Sequence, residues 1–446
     1  MNHKKLTHNS IIEHLCKSGY PSYLVGGAVR DLFLGKTPHD YDVTTKATPE
    51  EISKVFRVKA DTKGEAFGVM ILNQIEVATF REDRYPNGNG AGNCEVQYAE
   101  TIYDDLGRRD FTFNAMALCP YTGDVIDPFN GRKDLAKKML KFVGDADLRI
   151  NEDPCRILRA CRFLAKLEGV FDRETFEALK RNIHLIRGVA KERVRDEILK
   201  AMETANPSIF FNALYLIGGL DYVFPTFSAC VNHTHGNHHW ENVWEHCMLV
   251  GDSISPKFPL VRLAGYLHDC GKPFVYNPAD GSFLQHEYEG ARLVWNWLGN
   301  LRFSSDDKKT VSNLVRCHML GGSRLMTPKA IRKFRKTLAD ANVNPADWMR
   351  IRVADRKGSV KKDNFSFAEI RDRYSVFWFE EELPFNVNSL ALKGGELITR
   401  LGLTPGPVVS KLQNYLLDYV VENGSEFNTV EALLPVAQVF LSTWEA

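Results

Sequence analysis

The sequence predicts an α+β protein, with a small mixed-sheet head over residues 1–145 followed by an almost wholly helical remainder divided at 146–230, 231–365 and 366–446. Three observations predict it. Apolar strand patterns alternate with short helical ones only ahead of Asp145. Beyond it, helical periodicity runs nearly throughout, with helices expected over 154–167, 173–182 and 191–202. Finally, 446 residues exceed what one hydrophobic core accommodates, so about two to four domains are expected. Breaks are placed near 205–207, around 233–239 and after about residue 365.

Composition narrows the class. Hydrophobic residues at 44% and charged residues at 25% suit a folded, water-soluble chain and exclude whole-chain disorder or fibre. No apolar run approaches a membrane span, and the start MNHKKLTHNS lacks an apolar signal core, so a cytoplasmic protein without membrane association is expected. The nine cysteines, among them Cys16, Cys94, Cys155, Cys161 and Cys270, show no paired spacing, which suits a reducing compartment and argues against a zinc ribbon or disulfide scaffold. The net charge is only +1, so a nucleic-acid partner would have to be met by local basic surface. Basic residues cluster at 132–141 and 181–195.

In chain order, apolar Ile11, Ile12 and Leu15 predict a first helix over 8–18, capped by Asn9 or Ser10. The stretch 24–42, LVGGAVRDLFLGKTPHDYD, then reads as a strand ending at Val25, the pair Gly26-Gly27, a short helix, a turn at 35–38 and a second strand opening on Asp40 and Asp42. Residues two apart on a strand face the same side, so Asp40 and Asp42 can share a ligand. Their mutual repulsion calls for a divalent cation, and Mg²⁺ prefers such hard oxygen ligands together with substrate phosphates. Adjacent glycines let backbone N–H groups approach a phosphate, and Arg30 offers a planar donor fork nearby. The stretch therefore points to a nucleoside triphosphate plus metal. Thr48-Pro49-Glu50-Glu51 has capping-box spacing with Pro at the first helical position. Residues 68–72 and 75–80 read as a hairpin over Asn73 and Gln74. Glu76 faces away from Val77 and Thr79 and supplies a third carboxylate, as metal ligand or base. The run REDRYPNGNGAGN over 81–93 predicts a mobile loop.

The order Gly-Gly, Arg-Asp, Asp-x-Asp resembles motif A of the polymerase-beta-like nucleotidyltransferases, specifically the class II tRNA nucleotidyltransferase (CCA-adding) and bacterial poly(A) polymerase family. In relatives a flexible loop at the place of 81–93 helps switch from adding C to adding A, although the residues here depart from the usual basic pattern. Arg108-Arg109-Asp110-Phe111-Thr112-Phe113-Asn114-Ala115 resembles motif B, which implies that Arg109 contacts the triphosphate, Asp110 the ribose hydroxyl and Asn114 the phosphate or metal region. Asp127-Pro128-Phe129-Asn130-Gly131 resembles a structural turn of the same family.

In NEDPCRILRACRFLAKL, Asp153 and Arg156 are three apart, which on one helix presents an acceptor beside a donor fork. Cytosine and adenine each offer an amino donor beside a ring-nitrogen acceptor and fit that pair. Uracil and guanine reverse the pattern and would leave buried polar groups unpaired, at roughly 1–3 kcal/mol each. The stretch resembles the family's EDxxR motif, in which these two residues select CTP and ATP with Glu152 and Arg159 in support. Glu192-Arg193-Val194-Arg195-Asp196-Glu197 resembles the last motif, which braces the selecting helix through ion pairs.

A second chemistry lies downstream. His246, His268-Asp269 in LHDCGKP, and Asp355 in VADRKG resemble the ligands of an HD phosphohydrolase. Imidazole with carboxylate suits Mn²⁺, Ni²⁺, Fe²⁺ or Zn²⁺ better than Mg²⁺. Lys272 is placed to hold phosphate, and His286 and His318 to extend the site to a second metal. His233, His235, His238 and His239 are read as a loop entering this region, and helices are expected over 390–401, 408–421 and after Asn428. The resemblance implies two Mg²⁺ ions on Asp40 and Asp42 and template-independent transfer of CMP and AMP from CTP and ATP to the 3′ acceptor end of tRNA. Alternatives are a poly(A) polymerase, a CC-only or A-only enzyme, or an HD metal phosphohydrolase whose head only binds nucleotides.

Overall fold

The computed structural model describes residues 6–58, 68–84, 95–234, 241–320, 327–359 and 386–444. Most of the loop expected over 81–93, His235, His238 and His239, and the break near residue 365 lie outside the described residues. The chain forms two compact units, Met1–Pro225 and Thr226–Ala446.

The first unit is built on a six-stranded mixed sheet in the order β3-β4-β2-β1-β7-β8, from β1 Ser22–Val25, β2 Asp42–Thr45, β3 Val69–Leu72, β4 Ile75–Thr79, β7 Ala117–Leu118 and β8 Val125–Ile126. A separate pair joins β5 Arg81–Arg84 to β6 Glu95–Tyr98. The first four residues of the expected loop are thus a strand, because an antiparallel partner pairs with them that the 81–93 stretch alone does not contain. The β3–β4 hairpin turns over Asn73 and Gln74, both left-handed at φ 48° and 67°, the conformation that matches strand twist in a two-residue turn.

Two further expectations need correction. The first helix, His8–Lys17, is capped by Thr7, whose side chain and that of Ser10 satisfy each other's backbone N–H, rather than by Asn9 or Ser10. Strand β2 opens at Asp42, not Asp40. Its ladder with β1 ends at Val25↔Asp42 because the partner chain swings away at Gly26 into the helix Gly27–Phe33, leaving Asp40 nothing to pair with.

Helix Pro49–Phe56 carries the expected capping box on Thr48 and Glu51. Helices Ala146–Glu152, Cys155–Leu167, Arg173–Arg181 and Lys191–Met202 complete the part of this unit that frames the site. Phe111 and Phe113 pack on Phe163 of Cys155–Leu167 with ring centroids 5.5 and 5.6 Å apart, and Phe142 packs on Phe111 at 4.9 Å, which fixes the Arg109–Asn114 segment against that helix.

The second unit is helical. Val243–Ser253, Pro259–Leu267, His286–Asn300, Ser305–Cys317 and Pro345–Gly358 surround its histidines. The helices Gly394–Leu401, Pro407–Asn423 and Val430–Trp444 share a core of Leu390, Leu412, Leu416, Val420 and Leu433. Among the described residues no helix is long and apolar enough to cross a membrane.

Candidate active sites

The first site forms where β1 and β2 end. Gly26 has φ 66°, and a Cβ there would lie 3.1 Å from Nη1 of Arg109 and 3.8 Å from Oδ2 of Asp42, so the position demands glycine on both conformation and space. Strands β2 and β4 run parallel with Val43 opposite Val77, which puts Asp42 beside Glu76 one step earlier on the same face. Asp42 stays accessible, yet the cleft walls strip part of its hydration and push its carboxyl up; Glu76 and Asp40 push the same way and Arg109 opposes them. The three carboxylates stand within electrostatic reach but do not close to ligand atoms all within 4.8 Å of one another. Their hard oxygens fit Mg²⁺, with coordination positions left for phosphate.

Of the three, Asp42 lines a cleft of about 380 Å³ that it shares with Gly26, Gly27, Arg109, Asp153 and Arg156; Asp40 and Glu76 are not among its lining residues. Its walls are held by a chain of charge pairs. Arg30 is buried, with Nε donating to Asp31 at 2.8 Å and Nη1 to Asn114 at 2.8 Å. Asp31 thus takes its Nε edge and Asn114 one Nη1 hydrogen, while the residue itself lines the cleft. Asn114 donates to Asp110 at 3.0 Å, and Arg159 donates to the same carboxylate through Nε at 2.9 Å and Nη2 at 2.6 Å. Burial alone would raise Asp110, but Arg159 and Asn114 outweigh it and hold the group below the usual carboxylate range. Arg109 donates through Nη2 to buried Asp105 at 2.9 Å, while its Nε is buried without a hydrogen-bond partner.

Asp153 and Arg156 do not ride on one helix. Asp153 is extended between Ala146–Glu152 and Cys155–Leu167, since the residue before a proline, here Pro154, is disfavoured in helical conformation. Asp153 receives both ends of the Arg193 fork at 2.7 Å each and the Cys155 N–H at 3.2 Å. Burial pushes its carboxyl up, but the hydrogen bonds and charge of Arg193, with Arg156 adding, bring it below the usual range. Arg156 donates to Glu152 at 2.7 Å and to the carbonyls of Arg149 at 2.8 Å and Arg108 at 3.0 Å. Glu197 pairs with Arg162 and approaches Arg159 at 3.9 Å, so the 192–197 segment does meet the 155–167 helix through ion pairs.

Sequence reasoning missed Asp105, Asp83 and Phe163. Asp105 precedes Arg108 and Arg109 by three and four residues, a helical spacing that signals its pairing with both. Asp83, paired with Arg108 at 3.1 Å, sat in the run taken for a loop. The Phe163 ring lies under Arg30, Arg159 and Arg162 with centroid distances of 5.3, 5.6 and 4.2 Å, and nothing local in the sequence marks it.

In the second unit, four buried histidines each turn Nδ1 to a backbone carbonyl: His246 to Gly358 at 3.3 Å, His268 to Gly265 at 2.8 Å, His286 to Phe283 at 2.8 Å and His318 to Val315 at 2.6 Å. A carbonyl only accepts, so Nδ1 carries the proton and Nε2 is directed inward. The Nε2 atoms face one another in pairs, His246–His268 at 3.2 Å and His286–His318 at 3.3 Å. Asp269 lies between the pairs, with Oδ2 3.3 Å from His268 and Oδ1 3.2 Å from His286 and 3.5 Å from His318. Asp355 reaches His246 at 3.2 Å, and Lys272 donates to Asp269 at 2.6 Å. Burial opposes charge on His268, but the neighbouring Asp269 carboxylate outweighs it and raises the imidazole well above its ordinary value. The donors form two groups sharing Asp269, and both fit transition-metal coordination. Gly271 permits this closure, since a Cβ there would lie 2.1 Å from the His286 carbonyl oxygen.

Comparison with known proteins places these features together. Residues 22–141 match the family described as the Poly A polymerase head domain, 170–230 the "RNA and SrmB- binding site of polymerase A", and 237–355 the HD domain. The chain is 38% identical over 440 residues to the CCA-adding enzyme of Ligilactobacillus salivarius, covering 97% of this chain and 95% of that one. It is 30% identical over 430 residues to the CCA-adding enzyme of Limosilactobacillus reuteri, covering 95% and 94%. Poly(A) polymerase I of Haemophilus influenzae is 34% identical over 232 residues, which is 49% of this chain and 51% of that one. The fold is that of the Bacillus stearothermophilus CCA-adding enzyme solved with CTP, at a TM-score of 0.68 and 22% identity over 99% of this chain and 100% of that one. The chain belongs to the CCA-adding enzyme and bacterial poly(A) polymerase family of nucleotidyltransferases.

Proposed function

We propose that this chain adds CMP and AMP from CTP and ATP to the 3′ end of tRNA without a template, and that its HD unit hydrolyses a phosphate ester. One observation carries the first reading: a single cleft brings Asp42 and Arg109 together with Asp153 and Arg156, joining a place for triphosphate and metal to a place for reading a base. Asp40 and Asp42 hold Mg²⁺ and Glu76 assists, as ligand or as base for the primer hydroxyl. Mg²⁺ bound there supplies charge neutralisation at the α-phosphate and the attacking oxygen. Arg109, with Nε unspent, takes the phosphates, and Gly26 leaves room for them to approach. Arg30 and Asn114 hold Asp110, and Arg159 shares it until a ribose hydroxyl arrives.

Base choice falls to Asp153 and Arg156. Arg193 keeps Asp153 ionised and therefore acceptor-only, suited to the amino group of cytosine or adenine. Arg156, fixed by Glu152 and two carbonyls, donates to the neighbouring ring nitrogen. Relatives solved with CTP, with ATP and with tRNA support this reading.

In the HD unit, His246, His268, Asp269 and Asp355 hold one transition metal such as Mn²⁺, Ni²⁺ or Fe²⁺, and Asp269, His286 and His318 a second. Lys272 steadies the bridging carboxylate. A cytoplasmic location accords with the free cysteines among the described residues.

The rival within the family, a poly(A) polymerase, separates on one assay. Incubated with CTP alone and a tRNA lacking its terminus, the protein is expected to add C; absence of C incorporation would remove the CCA reading in favour of the rival.

A further inference from the structure

We propose that residues 6–8 form a positioning strap that sets the spacing of the three carboxylates of the head. The inference rests on the assignment of Asp40, Asp42 and Glu76 to Mg²⁺ and goes beyond it, since none of the residues in the strap lines the cleft.

The imidazole of His8 lies flat on the ring of Tyr41, with centroids 3.8 Å apart and planes 5° from parallel. Tyr41 stands between Asp40 and Asp42 in the chain. Two residues earlier, the backbone carbonyl of Leu6 accepts a hydrogen bond of 2.8 Å from Nδ2 of Asn73 in the β3–β4 turn. Strand β4 leaves that turn and carries Glu76 as its second residue. Between the two grips, Thr7 caps the helix His8–Lys17, which is seated by Ile11, Ile12 and Leu15, all three fully buried. Three consecutive residues, anchored by a rigid helix, therefore hold both segments that bear the carboxylates.

The need for such a device follows from the strand register. The β1–β2 ladder ends at Asp42, so Asp40 lies beyond the sheet hydrogen bonds that fix its neighbour. Asp40, Asp42 and Glu76 repel one another. Without an external hold, the Asp40 lead-in would relax away from the other two. Stacking of two flat rings resists that displacement, and the bond from Asn73 keeps the hairpin from moving the opposite way.

The test measures nucleotide incorporation against Mg²⁺ concentration, together with hydrogen exchange of the amides over 39–44, for the full chain. His8→Ala is expected to raise the Mg²⁺ concentration for half-maximal rate roughly three- to ten-fold, the effect of losing one aromatic pair. It should also speed exchange over 39–44 and leave the nucleotide KM at saturating Mg²⁺ unchanged. His8→Phe, which keeps a flat ring, should restore both properties. Asn73→Gly, which keeps the left-handed turn but removes the donor, should reproduce the Mg²⁺ defect. A His8→Ala protein with wild-type Mg²⁺ dependence and exchange overturns the proposal, and so does a rate loss that tracks a lowered melting temperature and is not restored by His8→Phe. Asp42→Asn reports on the underlying assignment alone: if Mg²⁺-dependent incorporation survives there, the carboxylate site is wrong whatever His8→Ala does.

Discussion

Asp42→Asn is expected to lower CMP and AMP incorporation by about a thousand-fold or more, the scale of removing an electrostatic anchor worth several kcal/mol in a phosphoryl-transfer transition state. Asp42 is the only carboxylate of the head trio that both terminates the β1–β2 ladder and lines the cleft. The asparagine keeps the volume and removes the charge, so the fold should persist; relief of repulsion from Glu76 and Asp40 would if anything favour it. Hydrolysis by the HD unit should be unaffected. Single-turnover incorporation with matched melting curves measures this. Residual activity within ten-fold of wild type would exclude the metal role assigned to Asp42.

His268→Ala should give the reverse pattern. Its Nε2 stands 3.2 Å from that of His246 and 3.3 Å from Asp269, so its loss opens the first metal group, while Asp269 keeps its ion pair with Lys272. Loss of a group that merely orients a ligand commonly costs about 10–100-fold in metal affinity, and loss of the ligand itself should cost at least as much. Bound transition metal, measured by elemental analysis after dialysis, should fall from two equivalents toward one or none, and phosphate-ester hydrolysis should disappear while CMP addition continues. Loss of CMP addition in a protein that still melts normally would show that the two chemistries are not separate. Dialysis of the wild-type chain against a chelator, followed by return of Mg²⁺ alone, should reproduce the mutant: transfer restored, hydrolysis absent.

Much of this was legible in the sequence because the informative features are local. The Asn73-Gln74 turn and the capping box at Thr48 each fall within a few residues, where local conformational preferences act directly. The His-Asp dipeptide with further histidines pointed to a cluster that the fold does bring together. Partner choice was not legible. Arg30 finds Asn114 84 positions away, Arg159 finds Asp110 49 positions away and Arg193 finds Asp153 40 positions away. Those pairings depend on how Phe163 packs against Phe111 and Phe113, which no local pattern encodes. The break at Asp153 is a different case, because Pro154 announced it. Setting Asp153 and Arg156 on one helix passes over that signal, and the structure decides for the proline.

The break changes the geometry of the proposed base reading but not its logic. Asp153 reaches the cleft from an extended residue held by Arg193, and Arg156 from the first turn of the following helix. Buried mispairing at roughly 1–3 kcal/mol per group gives about a five- to 150-fold preference for each contact.

The most direct measurement is incorporation from each of the four triphosphates, one at a time, by wild type and by Asp153→Ala on the same tRNA. Wild type should take CTP and ATP and exclude UTP and GTP, and the variant should lose that discrimination, with the CTP-to-UTP ratio falling about ten-fold or more. An Asp153→Ala protein that keeps the wild-type ratio would contradict side-chain reading of the base in this cleft.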